Sequence, residues 1–108
     1  MAYQTTKRDN YTVILLTDAI DMSYSKTARQ QILDALSQHE NVLVDLSKVT
    51  YIDSSGVASL VEGFQTAKAG KLDFSLIGVS EAAMMVFKLA RLDKIFPIFD
   101  TFEQAAKK

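Results

Sequence analysis

The segment from Asn41 to Leu46 constrains the fold of this chain more than any other part of the sequence. It reads Asn-Val-Leu-Val-Asp-Leu, an almost unbroken apolar run. Such runs are typical of strands that are covered on both faces, as happens in parallel sheets. We therefore expect a parallel strand here, with helices supplying the cover.

Strand-like and helix-like segments alternate around this run. Short apolar stretches predict strands, and apolar residues at helical spacing predict helices. The predicted strands are residues 3–8, 11–17, 41–46, 72–78 and 96–99, and the predicted helices are residues 23–38, 56–69, 81–91 and 103–107. This order predicts an α/β fold with a mostly parallel sheet of four or five strands, an N-terminal hairpin strand and about four helices.

Some residues predict where these elements begin and end. A hydroxyl oxygen at Ser23 or Ser25 is suited to cap the first predicted helix, because it can accept a hydrogen bond from a free backbone amide. Gly70 is suited to the left-handed conformation that commonly ends a helix. Residues 47–51 predict a connection between the third strand and the segment that follows.

Length and composition exclude several classes of protein. The chain has 108 residues, which suits one domain over residues 1–108. The formal net charge of -1 argues against binding to nucleic acid, which usually needs a basic surface. There are no cysteines, which excludes disulfides and thiolate chemistry and fits a cytoplasmic protein. The polar N-terminus and the lack of a long apolar run argue against direct membrane insertion.

Few residues have the arrangement that an enzyme needs. The one histidine, His39, follows a polar helix and is expected to be exposed to solvent. No phosphate-binding glycine motif follows a predicted strand, and the set of potential ligands is too small for a zinc site. An enzyme that uses only the carboxylates of Asp21 and Asp53 would lack a nucleophile and an oxyanion site. The sequence therefore predicts a non-enzymatic protein without a cofactor or a metal.

The segment Asp53-Ser54-Ser55-Gly56 lies between a strand-like segment and an amphipathic helix. The N-terminus of a helix carries free backbone amides and partial positive charge, so a phosphate is stabilised there. We expect an exposed serine, with Gly56 leaving space beside it, to serve as a phosphorylation site. The simpler alternative is that Asp53 or Ser54 only caps the helix.

A longer pattern surrounds this segment. The chain resembles the STAS domains, the family of the bacterial anti-anti-sigma factors. The resemblance is carried by residues 45–47 and 51–58 and by segments 76–80, 89–99 and 101–105. The resemblance covers most of the chain from about residue 11. It implies the STAS-like fold, and its strand and helix order agrees with the one predicted from the residues themselves.

The resemblance also implies roles for individual residues. The family's phosphorylated serine falls on Ser55, and a second family aspartate, after an early strand, falls on Asp21. At Asp18 the family usually has glycine. The partner-binding residues implied in this way are Asp21, Asp53, Ser54, Ser55, Gly56 and Val57.

The implied function is that of an anti-sigma factor antagonist. The unphosphorylated form binds an anti-sigma factor that is also a serine-protein kinase, and a sigma factor is released. ATP belongs to the kinase, and a PP2C-type phosphatase reverses the modification. The alternative within the same family is an accessory subunit bound to the ATPase of a lipid-transporting ABC complex. The intact Asp-Ser-Ser-Gly sequence favours the first function.

The third predicted helix contains the apolar run Met84-Met85-Val86-Phe87. One helix cannot bury four consecutive side chains against one sheet, so part of this run is expected to be exposed. Exposed methionines form adaptable contact surfaces. The alternative is an ordinary core helix with one or two methionines at the surface.

Overall fold

The computed structural model describes residues 3–107, which form a five-stranded sheet and four helices. The strands are β1 Gln4–Arg8, β2 Tyr11–Ile20, β3 Asn41–Ile52, β4 Phe74–Ile77 and β5 Ile98–Phe99. The helices are α1 Ser25–Ser37, α2 Ser54–Ala69, α3 Glu81–Leu89 and α4 Phe102–Ala106. This architecture confirms the α/β fold with a mostly parallel sheet.

The strands lie in the sheet in the same order as in the chain. β1 pairs with β2 in antiparallel fashion, and all other neighbouring strands are parallel. Each parallel connection therefore moves by one strand position, and its helix returns the chain across the sheet. The expected N-terminal hairpin is confirmed, with Asp9 at its turn in a left-handed conformation at φ 54°.

Two groups of buried side chains hold the layers together. The larger group joins α1, α2 and α3 to one face of the sheet, and Phe87, Leu16 and Ile32 are fully buried in it. The smaller group joins Phe102 and Ala105 of α4 to Leu43 on the other face. Both faces of β3 are thus covered, as its apolar run predicts.

The structure corrects several element boundaries. Residues 47–51 are not a connection, because β3 continues to Ile52 and pairs with a longer β2. This extension includes register shifts, between Leu15 and Thr17 and between Asp18 and Ala19, which the alternation of residues does not reveal. The strand predicted over residues 72–78 is limited to Phe74–Ile77. The last predicted strand is limited to Ile98–Phe99.

The helix ends also differ from expectation. α1 begins at Ser25 after Tyr24, whose side chain makes no capping bond, so neither Ser23 nor Ser25 is the cap. The free amides of Tyr24 and Ser25 donate instead to the backbone carbonyl of Asp21. Gly70 has a φ of -89°, and the left-handed residue after α2 is Lys71 at φ 59°.

Asp18 lies at the irregular part of β2 with a φ of 62°. Left-handed backbone is strained for most residues and is free of strain for glycine, whereas aspartate tolerates it better than most. The resemblance placed a glycine of the family at this position. The backbone therefore keeps the conformation that glycine would favour, and Asp18 adopts it.

We predict that Asp18→Gly leaves the free energy of unfolding unchanged or raises it by up to about 1 kcal/mol, because the left-handed strain disappears. Asp18→Val should lower it by about 1–2 kcal/mol, because a β-branched side chain is strained there. Urea denaturation measures both. As a matched control, Lys48→Gly in β3 should lower stability by about 0.5–1 kcal/mol. Equal losses of stability for Asp18→Gly and Lys48→Gly would contradict a strained backbone at Asp18.

Candidate functional site

The start of α2 is built around the carboxylate of Asp53. β3 ends at Ile52, and Asp53 is the N-cap of α2, with extended backbone at φ -108°. Its Oδ1 accepts hydrogen bonds from the backbone amides of Ser55 at 2.9 Å and Gly56 at 3.1 Å. Asp53 thus has the capping role that composition alone suggested. The helix begins at Ser54, two residues earlier than predicted.

The hydroxyl group of Ser55 contacts the same carboxylate. Ser55 Oγ donates to Asp53 Oδ1 at 2.6 Å, and the Ser55 side chain is partly buried. Ser54, by contrast, is exposed. The serine that the family resemblance selects is therefore the less accessible of the two, which corrects the expectation of an exposed acceptor.

These hydrogen bonds change the acidity of Asp53. The bond from the Ser55 hydroxyl, followed by bonds from the backbone amides of Gly56, Ser55 and Met22, lowers the pKa of the Asp53 carboxyl below its usual value. The partial positive charge of a helix N-terminus acts in the same direction. Asp53 is therefore held in its charged form at neutral pH, directly beside the Ser55 hydroxyl.

Gly56 is buried where α2 crosses the end of β2. A Cβ atom at this position would lie 2.6 Å from the carbonyl oxygen of Ile20 and 2.7 Å from Cγ1 of Ile52. Real Cβ atoms do not approach a backbone oxygen so closely. The expectation that Gly56 leaves space beside the serine is therefore wrong. Glycine is needed at this position because a side chain would have no space.

The loop from Asp21 to Tyr24 forms the other wall of the site. Asp21 Oδ1 accepts a hydrogen bond from the Ser23 amide at 2.9 Å, so this side chain holds the shape of its own loop. The backbone amide of Met22 is among the donors to Asp53, which places the loop against the start of α2. The structure thus brings Asp21 and Asp53 into adjacent segments.

A buried hydroxyl ties these two segments together. The Oγ of Ser59, one turn into α2, lies 3.2 Å from the carbonyl oxygen of Ser25 and 3.0 Å from that of Ser55. Its single hydrogen is shared between the start of α1 and the start of α2. Both helix starts are therefore anchored to the same buried group.

The remaining predicted contact residues point inward. Gly56 is buried, and Val57 is partly buried against the main core, with its amide donating to the carbonyl of Asp53 at 3.0 Å. Of the implied partner-binding residues, Ser54 presents the most exposed side chain. Gly56 and Val57 position the others and offer little surface themselves.

Three large side chains near this site are exposed, and the sequence alone did not indicate them. Met22 is 77% exposed, Tyr24 54% and Tyr51 53%. Met22 and Tyr24 belong to the loop before α1, and Tyr51 lies two residues before Asp53. A signal was present, since a methionine and a tyrosine interrupt an otherwise polar loop, but strand periodicity could not show that Tyr51 faces solvent.

Among residues 3–107, no group of three or more histidine, cysteine, aspartate or glutamate side chains is arranged to hold a metal ion. Within the same residues, no helix is both long and apolar enough to cross a membrane. The chemistry available at the start of α2 consists of a charged carboxylate, two hydroxyl groups and the amides of a helix N-terminus.

We predict that Gly56→Ala lowers the free energy of unfolding by about 1–3 kcal/mol, because the added methyl group overpacks against the Ile20 carbonyl. Urea denaturation of purified protein measures the loss. Gly70→Ala is the matched control, because the nearest atom to its Cβ is 3.6 Å away. A loss at Gly70 equal to the loss at Gly56 would contradict the close approach.

We also predict that Asp53 contributes stability in a pH-dependent way. Its folded pKa is lowered, so the contribution is present above the ordinary carboxyl value of about 4 and is lost as pH falls through the folded pKa. Asp53→Asn keeps a capping oxygen but cannot titrate. The stability gap between wild type and Asp53→Asn should therefore close as pH falls below about 4. A gap that is constant from neutral to acidic pH would contradict this role.

Solved structures of several bacterial proteins resemble this fold. A Thermotoga maritima protein provisionally classed as an anti-sigma factor antagonist superposes with a TM-score of 0.90 and 21% identity, covering 97% of this chain and 92% of its own. An anti-sigma factor antagonist (STAS) domain protein from Planctomyces limnophilus has a TM-score of 0.83 and 25% identity, covering 97% and 95%.

A third similar structure is the phosphorylated form of the Bacillus cell fate determinant SpoIIAA. It has a TM-score of 0.76 and 22% identity, and the match covers 98% of this chain and 97% of that protein. These TM-scores show a shared fold. The sequence itself matches the family model of the STAS domain over residues 2–105. The chain therefore belongs to the STAS domain family.

Proposed function

We propose that this chain is an anti-sigma factor antagonist that acts by partner switching in the cytoplasm. Its unphosphorylated form binds an anti-sigma factor that is also a serine-protein kinase, and a sigma factor or another regulated target is released. The kinase, which binds the ATP, ends this interaction by phosphorylating Ser55, and a PP2C-type phosphatase restores it. The chain itself is not an enzyme and carries no cofactor.

The observation that best supports this proposal is the 2.6 Å hydrogen bond between Ser55 Oγ and Asp53 Oδ1 at the start of α2. The bond sits in the segment that carries the family signature, and one similar structure is of a phosphorylated protein. A phosphate on Ser55 would add about 1.5 to 2 negative charges at neutral pH. The same reaction removes the hydroxyl hydrogen that Ser55 donates to Asp53.

Two opposing effects then act on the phosphate. The partial positive charge at the N-terminus of the 16-residue helix α2 stabilises it. The Asp53 carboxylate repels it, because its lowered pKa keeps it charged. The fold can therefore accept the modification, while the surface around Asp53 becomes much more negative. A partner that binds this surface would detect the change as a repulsion.

The exposed side chains around the site suggest how the partner is held. Met22, Tyr24 and Tyr51 present apolar surface, and tyrosine is over-represented among the side chains that dominate binding energy at interfaces. We assign these side chains to the docking surface together with Ser54 and Ser55. Asp21, Asp53, Gly56 and Val57 contribute by shaping its two segments.

We predict that incubation with the kinase and ATP adds one phosphate, at Ser55, as located by mass spectrometry of proteolytic fragments. The enzyme to use is a histidine-kinase-like ATPase that binds the unphosphorylated chain. Ser55→Ala should remove the phosphate and keep kinase affinity within about threefold, whereas Ser55→Asp should weaken binding about tenfold or more through like-charge repulsion. Isothermal titration calorimetry measures the affinities.

Ser54→Ala is the matched control, because it removes the neighbouring hydroxyl and should still be phosphorylated. A phosphate found on Ser54, or none from a kinase that binds tightly, would refute the assignment to Ser55. Equal affinities of Ser55→Ala and Ser55→Asp would refute the electrostatic mechanism.

A further inference from the structure

Helix α3 presents two apolar stripes, and only one of them is buried. Ala83 and Phe87 are buried in the core beneath the helix. On the opposite side, Met85 is 65% exposed and Leu89 is 82% exposed. Ala82 is also exposed and shares their face, because it lies three residues before Met85 and seven before Leu89. We refer to Ala82, Met85 and Leu89 as the outer stripe.

The outer stripe needs an explanation because large apolar side chains usually avoid full exposure. A single exposed leucine is ordinary, but a continuous stripe at helical spacing is typical of a contact surface. Ile95, in the turn after α3, adds a further side chain that is 55% exposed. The outer stripe is separate from the start of α2, because none of its residues belongs to that site.

The charges beside the outer stripe indicate what covers it. Glu81 and Lys88 are seven residues apart, so they lie on the same flank of α3, one near each end. Both are exposed, and the ion pairs within residues 3–107 include neither of them. A surface with opposite charges at its two ends is complementary to itself when a second copy is turned by 180°.

We infer that the outer stripe of α3 binds the outer stripe of a second copy of this chain, in an antiparallel pair with two-fold symmetry. In this arrangement the axis passes near Met85, so Met85 packs against Met85 of the other copy. The large Leu89 of each copy packs against the small Ala82 of the other. Glu81 of each copy forms an ion pair with Lys88 of the other.

The size of the surface predicts a weak dimer. α3 has nine residues and is therefore about 13 Å long. Such a contact lies below the roughly 1,200 Å² of buried surface that specific stable complexes require, and it belongs with transient interfaces. Dissociation should therefore be visible in solution at micromolar concentrations.

Sedimentation equilibrium of the full chain from about 1 μM to about 1 mM tests the inference. The average mass should rise from monomer towards dimer with concentration. Met85→Glu should keep the chain monomeric over this range, because it places two like charges together at the axis. Met22→Glu is the matched control, because Met22 is also a largely exposed methionine but lies at the other site, and it should not change the association. A chain that stays monomeric throughout, or an equal loss with Met22→Glu, would overturn the inference.

A charge exchange tests the proposed orientation. Glu81→Lys and Lys88→Glu should each weaken the dimer about threefold to tenfold, because each replaces two attractive contacts with repulsive ones. The double variant Glu81→Lys/Lys88→Glu should recover the wild-type affinity within about twofold, because every pair is attractive again. If the outer stripe bound a partner other than a second copy, the double variant would not recover the wild-type affinity. A double variant as weak as either single variant would overturn the antiparallel pairing. Circular dichroism of each variant checks that the fold is retained.

Discussion

The close approach of α2 to the end of β2 is the constraint on which the site depends. The backbone of Gly56 lies so close to Ile20 that a Cβ atom at position 56 would be 2.6 Å from the Ile20 carbonyl oxygen. The same carbonyl also accepts a hydrogen bond from the Asp53 amide at 3.3 Å. Because β2, β3 and α2 meet at this point, the capping carboxylate and the loop before α1 are held side by side. A larger residue at Gly56 would separate the elements that form the site.

The Asp53 carboxylate caps α2 and also lies beside the hydroxyl group of Ser55. As a helix cap it accepts hydrogen bonds from the backbone amides of Ser55 and Gly56, and these bonds favour its charged form. As a neighbour of a phosphorylated Ser55 it would face a second negative group. A cap made by serine or threonine would stabilise the helix without this repulsion. Under the proposed function, an aspartate at this position would therefore make the surface more responsive to phosphorylation than a serine or threonine cap would.

The sequence was sufficient for the element order, the parallel sheet and the covered strand, because these follow from local patterns of apolar residues. The cap at Asp53 was also accessible, since it depends on residues within one turn. The crowding at Gly56 was not accessible, because it arises from contact with Ile20, which is distant in the chain. The extension of β3 was missed because its pairing with β2 includes register shifts that interrupt the alternation.

The left-handed residue at Asp18 shows how a family pattern and a structure inform each other. The resemblance suggested a glycine at this position. Because the chain has aspartate instead, the sequence did not predict the local backbone conformation. The observed φ of 62° explains why glycine is favourable and why aspartate is an acceptable substitute.

The shared hydrogen of Ser59 has a consequence for the way in which a signal would be transmitted. Because one buried hydroxyl contacts the carbonyls of Ser25 and Ser55, moving the two helix starts apart would break a buried hydrogen bond. A modification at this surface would then alter its electrical potential while its contour stayed nearly the same. Under the proposed function, the partner would distinguish the two forms of this surface by charge, so the effect of phosphorylation on binding should depend on ionic strength more than on any rearrangement of the fold.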